Sequence, residues 1–297
     1  STPLRSSAAS DVYKRQPVGS PTAEITQYTD EEDCLYEEID NTRDIELWIC
    51  AMDKDPGSDR EIQDTRDVML DAVDSDAGGD DQYISEYNWD LDLEVDSDGD
   101  GNTENDADLT GESVEWKDVA PGEYQINLSV VNSAGKMDGD KIKVYVSFYG
   151  HWSDGDWQIS GGNSNDPEEI RFDMPVVYDK EQGNTIRKVE LILTYPQIDD
   201  DCQDVTPGEG NNCRNKLDIY AYNEEDEEAR NTTETPLENR DYDDCDDDND
   251  CLQLLLSSYM FTETESTFGD GEWVVAIHNE KINDQKIESF VIILHYK

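Results

Sequence analysis

Alternating apolar and polar positions recur along most of the chain, and this period of two predicts β-strands. The clearest case is residues 43–52, where apolar side chains occupy both faces, as in a strand at the centre of a sheet. Further strands are predicted at 82–95, 112–118, 122–132, 140–149, 168–178, 186–195, 216–222, 252–261, 272–279 and 286–296, with a weaker one at 22–29. Residues 59–73 differ, because their apolar positions follow the spacing of one short amphipathic helix.

Many short strands separated by turn residues predict an all-β protein of two antiparallel β-sandwich domains with acidic loops and one short helix. A chain of 297 residues is long enough for two domains. The Gly-, Ser- and Asp-rich residues 151–165 are interpreted as a linker between a first sandwich at 34–150 and a second at 166–297. Residues 17–33 form a polar N-terminal arm.

Residues 1–16 are interpreted as non-native. The stretch from Ser6 to Gln16, SSAASDVYKRQ, is the in-frame translation of a widely used transposon-based sequencing adapter. This indicates a sequence assembled from environmental reads, so we leave these residues out of the fold.

Three strand-like segments recur in the same order in the two halves of the chain. GEYQINLSVVN at 122–132 aligns with GEWVVAIHN at 271–279, and each is followed by a polar turn and a closing strand. Upstream, LDLEV at 91–95 aligns with LDIYAY at 217–222. We interpret this as a duplication in which each Gly-Glu-aromatic strand pairs with its hairpin neighbour.

The stretch from Trp89 to Asp108 joins a predicted strand to a loop dense in carboxylates. The strand would place Trp89 on an apolar face and Asp90 on an acidic one. The loop supplies two glycines for tight turns and six candidate metal ligands: Asp96, Asp98, Asp100, Glu104, Asp106 and Asp108. Hard oxygen donors at this density suit calcium, which takes about six to eight of them.

This loop follows the EF-hand pattern only in part. Gly101 stands at the sixth position, as the pattern requires, but Ala107 occupies the twelfth, where a bidentate glutamate belongs. The loop is therefore closer to the DxDGDG loops of secreted calcium-binding repeats. The alternative is an acidic, solvated turn. A second acidic stretch, DYDDCDDDND at 241–250, is better explained as a charged loop without an ion.

The charge of the chain restricts its partners. The formal net charge is −52, from 74 acidic and 22 basic residues. Such a surface repels nucleic acid and anionic membranes, so we exclude both as partners. It also repels itself unless divalent cations or salt screen it, so calcium binding and salt adaptation both remain explanations. Membrane insertion is not expected, because no apolar run reaches about 18 residues.

Six cysteines fall into three sequence-local pairs and predict disulfides. None has CxxC spacing and histidine is scarce nearby, which argues against a zinc site. Disulfides favour an extracellular or cell-surface location. The simplest of the many possible pairings is Cys34–Cys50, Cys202–Cys213 and Cys245–Cys251. Two sequons, at Asn127 and Asn231, are candidate glycosylation sites.

The sequence offers no catalytic motif, and we expect no enzyme activity. The three histidines are His151, His278 and His295, of which the last two are expected to pack within strands. No nucleophile elbow, zinc-protease helix or phosphate-binding loop is present. Trp152 and Trp157 are expected to pack at the junction of the two halves.

Two segments carry a family resemblance. LDLEV, PGEYQINLSVVNSAG and KIKVYV, within 91–146, resemble the β-sandwich modules that follow secreted proteases and the PKD-type Ig-like domains. LDIYAY and GDGEWVVAIHNEKINDQKIESFVIILHY, within 217–296, are similar to the jelly-roll P-domains of proprotein convertases. The resemblance implies Ig-like or jelly-roll sandwiches that are non-catalytic, often calcium-stabilised, and used for adhesion, assembly or substrate attachment.

Three functions are compatible with these observations. We first expect a structural subunit of an extracellular, pilus-like helical filament, a homopolymer stabilised by calcium. Its arm at 17–33 would insert as a missing strand into the neighbouring copy, which resembles donor-strand assembly in bacterial pili. The alternatives are a cell-surface adhesin or carbohydrate-binding module, which requires an exposed aromatic surface for glycans, and a non-catalytic accessory region of a secreted hydrolase.

Overall fold

The structure is a computed structural model. It describes residues 19–26, 44–53, 65–93, 96–103, 106–153, 157–163, 165–180, 183–198, 213–243, 245–262, 264 and 267–296. The predicted non-native segment at 1–16 and most of the predicted arm at 17–33 lie outside these residues.

The described residues form an all-β fold, which confirms the predicted class. Two 3₁₀ helices, Leu237–Asn239 and Ser258–Phe261, interrupt the strands. The strands are β1 Ile45–Asp53, β2 Arg66–Asp71, β3 Ile84–Asp90, β4 Leu109–Thr110, β5 Ser113–Val119, β6 Gly122–Asn132, β7 Met137–Trp152, β8 Gln158–Ile159, β9 Glu168–Val176, β10 Lys188–Pro196, β11 Leu217–Tyr222, β12 Glu228–Asn231, β13 Asn249–Ser257, β14 Gly271–Asn279, β15 Gln285–Lys286 and β16 Ser289–His295.

The helix predicted at 59–73 is wrong for the part that the structure describes. Arg66–Asp71 is strand β2, paired antiparallel with β5. Val68, Leu70 and Ala72 are all buried, so the apolar positions that matter here alternate with a period of two. Residues 59–64 lie outside the described part of the chain.

Strand β7 joins the two halves of the molecule. Its residues 137–146 pair antiparallel with β6, and its residues 148–152 pair antiparallel with β16. Strand β1 pairs with residues 144–152 of β7, and this pairing is parallel. Because a strand has only two edges, β1 occupies one edge of β7 while β6 and β16 follow one another along the other edge.

One eight-stranded sheet results from this arrangement. On the side of the first half, β6 is followed by β3 and β4, and on the side of the second half, β16 is followed by β10 and β13. A separate four-stranded sheet, in the order β12-β11-β14-β9, belongs to the second half.

In the second half, the four-stranded sheet packs face to face on the eight-stranded sheet, as in a β-sandwich. Phe172 of β9 lies between Trp152 of β7 and Phe290 of β16, with ring centroids 4.7 and 4.8 Å away. All three side chains are almost fully buried, and burial of each stabilises the fold by up to about 3 kcal/mol. The buried apolar residues of both halves belong to one connected cluster.

The segment 151–165, predicted as a linker, contains the end of β7 and all of β8. Trp152 and Trp157 are buried against Phe172, as expected for the junction, and this packing makes the segment part of the core. The division into two domains, at 34–150 and 166–297, stays a prediction. Strand β7 pairs with strands from both of these ranges.

The predicted pairing of the repeated segments holds in one half only. β6 and β7 form a hairpin, but β14 pairs with β11 and β9, whereas β16 lies in the other sheet. Similar strand patterns therefore do not produce the same strand pairs. The sequence of a strand shows which of its two faces is apolar, but it does not determine in which sheet the strand lies.

The disulfide predicted between Cys245 and Cys251 is present. Cys50 and Cys213 are also disulfide-bonded, and their expected partners, Cys34 and Cys202, lie outside the described residues. None of the helices in the described part of the chain is long and apolar enough to cross a membrane.

Candidate functional site

The acidic loop, residues 91–108, begins where β3 ends. The predicted strand 82–95 stops at Asp90, and Leu91 to Leu93 already belong to a turn. A main-chain hydrogen bond closes the loop: the N–H of Asp108 donates to the carbonyl of Trp89 at 2.9 Å.

Three of the predicted ligands come together in this loop. Carboxylate oxygens of Asp96, Asp98 and Asp106 lie within 4.8 Å of one another. Asp96 also accepts the main-chain N–H groups of Gly99 and Gly101, at 2.6 and 2.8 Å. Both glycines have positive φ angles, 75° and 92°, which a residue with a side chain adopts only with strain.

The remaining predicted ligands have other surroundings. Asp108 accepts hydrogen bonds from the main-chain N–H of Leu91 at 2.9 Å and the hydroxyl of Ser97 at 3.1 Å. Asp100 accepts the N–H of Asn102 at 2.8 Å. Glu104 lies outside the described residues.

Asp90 is a buried carboxylate beside this loop, and sequence reasoning missed its burial. The alternation pattern placed it on a solvated face, but its side chain is only 1% exposed. The main-chain N–H groups of Asp92 and Asp106 donate to it, yet its Oδ2 has no hydrogen-bond partner. Burial, and then the negative charges of Asp108 and Asp106, raise the pKa of Asp90 to about 6. No sequence signal shows this, because the burial depends on where the strand ends.

The aromatic face is the second candidate site and consists of Tyr220, Tyr222 and His278. It lies on the outer face of the four-stranded sheet. Tyr220 and Tyr222 alternate along β11 with Ile219 and Ala221, which are buried on the inner face. The ring of His278, from β14, stacks on Tyr220 with centroids 3.9 Å apart, and Tyr222 lies 6.2 Å from Tyr220 in a nearly parallel plane.

Charged side chains surround the aromatic face. The guanidinium of Arg171, from β9, lies 5.3 Å from the ring centre of Tyr222, close enough for a cation–π contact. Glu169 lies 3.1 Å from Nε2 of His278, and the hydroxyl of Tyr220 donates to Glu280 at 3.4 Å. Four side chains from β9, β14 and the turn after β14 thus lie around the two tyrosines of β11.

The protonation states on this face follow from burial. Burial lowers the pKa of His278, and the nearby Glu169 carboxylate offsets this only in part. Burial raises the pKa of Tyr222 to about 12, with added effects of Glu169 and Glu228. At neutral pH the histidine and the tyrosine are therefore both uncharged.

The two predicted glycosylation sites, Asn127 and Asn231, have different surroundings and stay predictions. Asn127 is only 8% exposed and lies in β6 between Asp90 and Lys141, which disfavours a glycan there. Asn231 lies at the end of β12 and donates to Glu228 at 2.6 Å.

A cleft beside Tyr124 and Lys143 has a volume of only 150 Å³, whereas ligand pockets usually span about 300–1,000 Å³.

Comparison with known proteins adds no family. No family model matches the chain, and no curated protein matches it. A carbohydrate-binding module of the β-sandwich superfamily is similar at 12% identity and a TM-score of 0.27, covering 95% of this chain and 98% of the other.

Two further solved structures are longer, and this chain spans about half of each. The Bacteroides ovatus protein SGBP-B, in complex with a mixed-linkage heptasaccharide, has 10% identity and a TM-score of 0.22, over 84% of this chain and 53% of the other. The CBM51-2 and INT domains of Clostridium perfringens ZmpB, in complex with GlcNAc, have 10% identity and a TM-score of 0.21, over 84% and 47%. These TM-scores are too low to carry an argument about fold or function.

Proposed function

We propose that this protein is a non-catalytic glycan-binding module of a cell-surface adhesin or secreted assembly, and that it binds through the aromatic face. The observation that carries the proposal is the stack of Tyr220, His278 and Tyr222 on the outer side of a sheet whose other outward residues are largely charged. Half-buried aromatic rings beside hydrogen-bonding groups form a surface with both an apolar and a polar character.

The chemistry of a sugar matches this combination. One side of a pyranose ring presents C–H groups, which pack on an aromatic ring, while its hydroxyl groups point outward and need hydrogen-bond partners. Arg171, Glu169 and Glu280 provide a donor and two acceptors next to the rings. Hydrogen bonds to charged groups are stronger than those between neutral groups, and their geometry selects among hydroxyl arrangements.

The aromatic face is also held in place before any ligand arrives. The hydroxyl of Tyr222 lies 3.4 Å from Nε2 of His278, which itself contacts Glu169. All of these residues come from strands or from the turn that follows β14. Side chains that are already ordered lose less conformational entropy on binding, so weak stacking contacts can give measurable affinity.

The net charge narrows the ligand class to neutral glycans. A surface with a charge of −52 repels uronic-acid and sulfated polysaccharides. The competing explanation is that the rings only cover Ala276, which is completely buried opposite Tyr220. Both explanations predict a similar loss of stability when a ring of this face is removed, so only a binding measurement separates them.

Affinity gel electrophoresis against a panel of neutral polysaccharides, followed by calorimetry with a matching oligosaccharide, tests the proposal. We expect Tyr222→Ala to weaken binding at least tenfold. Tyr83→Ala is the matched control. Tyr83 is 67% exposed and lies just before β3, away from this face, so the variant should bind like the wild type. Equal binding by both variants, or no binding by the wild type to any member of the panel, would contradict the proposal.

The filament hypothesis depends on a different part of the molecule and is kept as a second proposal. The described part of the arm packs on its own chain, where Ala23 and Ile25 are buried and their N–H groups donate to Asp138 and Asp140 at 3.0 and 2.9 Å. The arm of a neighbouring copy could occupy the same position by exchange. Electron microscopy of the purified protein tests this: uniform filaments would support a homopolymer, and single particles would contradict it.

A further inference from the structure

The eight-stranded sheet is apolar on both of its faces where it crosses the second half of the molecule. On the inner face, Phe290, Ile292 and Leu294 of β16 are completely buried. On the outer face, Val291 and Ile293 of the same strand are also apolar, yet they are only partly buried. Strands that are apolar on both faces are typical of a sheet that is covered on both sides.

The apolar outer surface extends over five neighbouring strands, β13, β10, β16, β7 and β1. The register places Tyr149 beside Ile293 and Ile192 beside Val291. Leu255, on β13, is 44% exposed. The surface, called the docking face from here on, consists of Trp48, Tyr149, Ile192, Leu255, Val291 and Ile293.

The docking face is also unusually poor in acidic residues. About a quarter of the chain is Asp or Glu, but the outward positions of these five strands carry only two carboxylates, Glu46 and Glu190. Lys188 forms an ion pair with Glu190 at 3.0 Å, and Nε2 of His295 lies 3.4 Å from the same carboxylate. The charge here is therefore nearly balanced, whereas the whole chain has a net charge of −52.

The rings on the docking face are not arranged to stack on a sugar. Trp48 meets His295 edge-on, with the planes inclined by 88°, and the rings of Tyr149 and His151 are inclined by 51°. On the aromatic face, by contrast, neighbouring rings are nearly parallel. An apolar surface with rings in different planes fits the side chains of another protein better than a flat pyranose.

We propose that the docking face binds the same face of a second copy of this chain, so that the protein forms a two-fold symmetric dimer. A strongly cationic partner would be attracted to the acidic surfaces elsewhere on the chain, and not to a face with balanced charge. The docking face of another copy matches in both respects, because it is apolar and adds almost no charge. Such a contact uses the same patch on both subunits and closes with two copies.

The size of the docking face is sufficient for a weak, specific dimer. Five strands about 4.8 Å apart, over about 20 Å of strand length, present roughly 500 Å² per copy. A pair then buries roughly 1,000 Å², which is the lower limit for a specific protein interface. Two sheets can pack face to face in this way, with their strands inclined by about 30°. This proposal does not depend on glycan binding, since it involves no residue of the aromatic face.

The net charge gives the dimer an unusual salt dependence. Two copies that each carry a charge of −52 repel one another at a distance, whereas the contact itself is apolar. Raising the salt concentration from about 150 mM to 1 M shortens the Debye length from about 8 to 3 Å and weakens the repulsion. Dimerisation should therefore become stronger in high salt, whereas an interface based on ion pairs would become weaker.

Sedimentation velocity of the full chain, from about 1 to 100 µM at both salt concentrations, tests the proposal. We expect a monomer–dimer equilibrium in the wild type, and Ile293→Glu should weaken it at least tenfold. Ile282→Glu is the matched control, because it adds the same charge at a position that is 85% exposed and lies outside the docking face. This control should dimerise like the wild type.

A second variant separates a lost interface from a folding defect. Leu255 is already 44% exposed, so Leu255→Glu should melt like the wild type and still weaken the dimer. A wild type that stays monomeric in high salt would overturn the proposal, and this is the result expected if residues outside the described part of the chain cover the docking face instead. Association that both docking-face variants leave unchanged would overturn it as well.

Discussion

The imidazole of His278 lies face to face with the ring of Tyr220, with centroids 3.9 Å apart and planes inclined by 22°. The two residues belong to neighbouring strands and are offset in register, because Tyr220 pairs with Ala276 and His278 with Asp218. The histidine therefore fills the space diagonal to the tyrosine, where a long side chain on a sheet can still make contact.

Burial of this histidine predicts a pH dependence of stability. The pKa of His278 is lower in the folded chain than its ordinary value of 6.5, so the unfolded chain binds the proton more readily. The stabilisation is complete above about pH 6.5 and decreases as the pH falls toward the folded pKa. Melting temperatures from pH 8 to 5 should show the wild type losing stability relative to His278→Gln. Parallel curves for the two proteins would contradict this. Burial also lowers the pKa of His151, but His151 is present in both proteins, so its effect on stability cancels in the comparison.

Arg240 predicts a large loss of stability when it is removed. Its guanidinium is completely buried and donates to Asp218 and to the hydroxyl of Tyr195, each at 2.7 Å. Arg240→Met leaves the buried Asp218 with the partly exposed Lys216 as its ion-pair partner and with the hydroxyl of Thr232 as a neutral donor. We expect a loss of about 3 kcal/mol in the free energy of unfolding, measured with urea. Arg230→Met is the control, because Arg230 is exposed, and its loss should be below about 1 kcal/mol.

Gly150 should not tolerate a side chain. A Cβ at this position would lie 2.4 Å from Cη2 of Trp152, whose ring packs against Phe172, with ring centroids 4.7 Å apart. We expect Gly150→Ala to lower the free energy of unfolding by about 1–3 kcal/mol, because the aromatic cluster must shift. Gly139→Ala in the same strand is the control, since the nearest atoms are 3.4 and 3.5 Å away. Similar effects of both variants would show that the Trp152 contact is not limiting.

The Cys245–Cys251 disulfide should contribute modestly. It closes a loop with a sequence separation of 6, and closing so short a loop removes little entropy from the unfolded chain. We expect Cys245→Ala with Cys251→Ala to lower the free energy of unfolding by about 2 kcal/mol. A loss far above this value would indicate that the bridge also holds the native hydrogen bonds around Cys251, whose N–H donates to the carbonyl of Arg240 at 2.8 Å.

The strands were predictable from the sequence to the extent that burial alternates along them. Segments such as 122–132 and 188–196 have one face in the core, so the period of two is directly visible. The segment Arg66–Asp71 was misread because Met69, which fits a helical spacing, is in fact 39% exposed. The tertiary structure decides which apolar residues are buried. A short amphipathic pattern can fit both the helical period and the strand period of two.

The candidate sites were predictable only where their residues are close in sequence. Asp96, Asp98 and Asp106 lie in one loop, and their composition alone suggested a cation site. Asp90 was assigned to the wrong face because its burial depends on the end of β3. The aromatic face combines residues of β11 and β14, with charged neighbours from β9, and its composition follows from strand register, which local sequence does not determine.

The shared strand β7 determines how the chain can be divided. A cut after Trp152 would leave the first fragment with the edge of β7 that β16 normally covers, next to the apolar surface of Phe148 and Trp152. The second fragment would carry β16 without that neighbour. Unpaired strand edges beside apolar surface associate with other chains, so each fragment is expected to aggregate when produced alone. The two halves therefore depend on one another for protection against misassembly, although their sequences suggest two independent units.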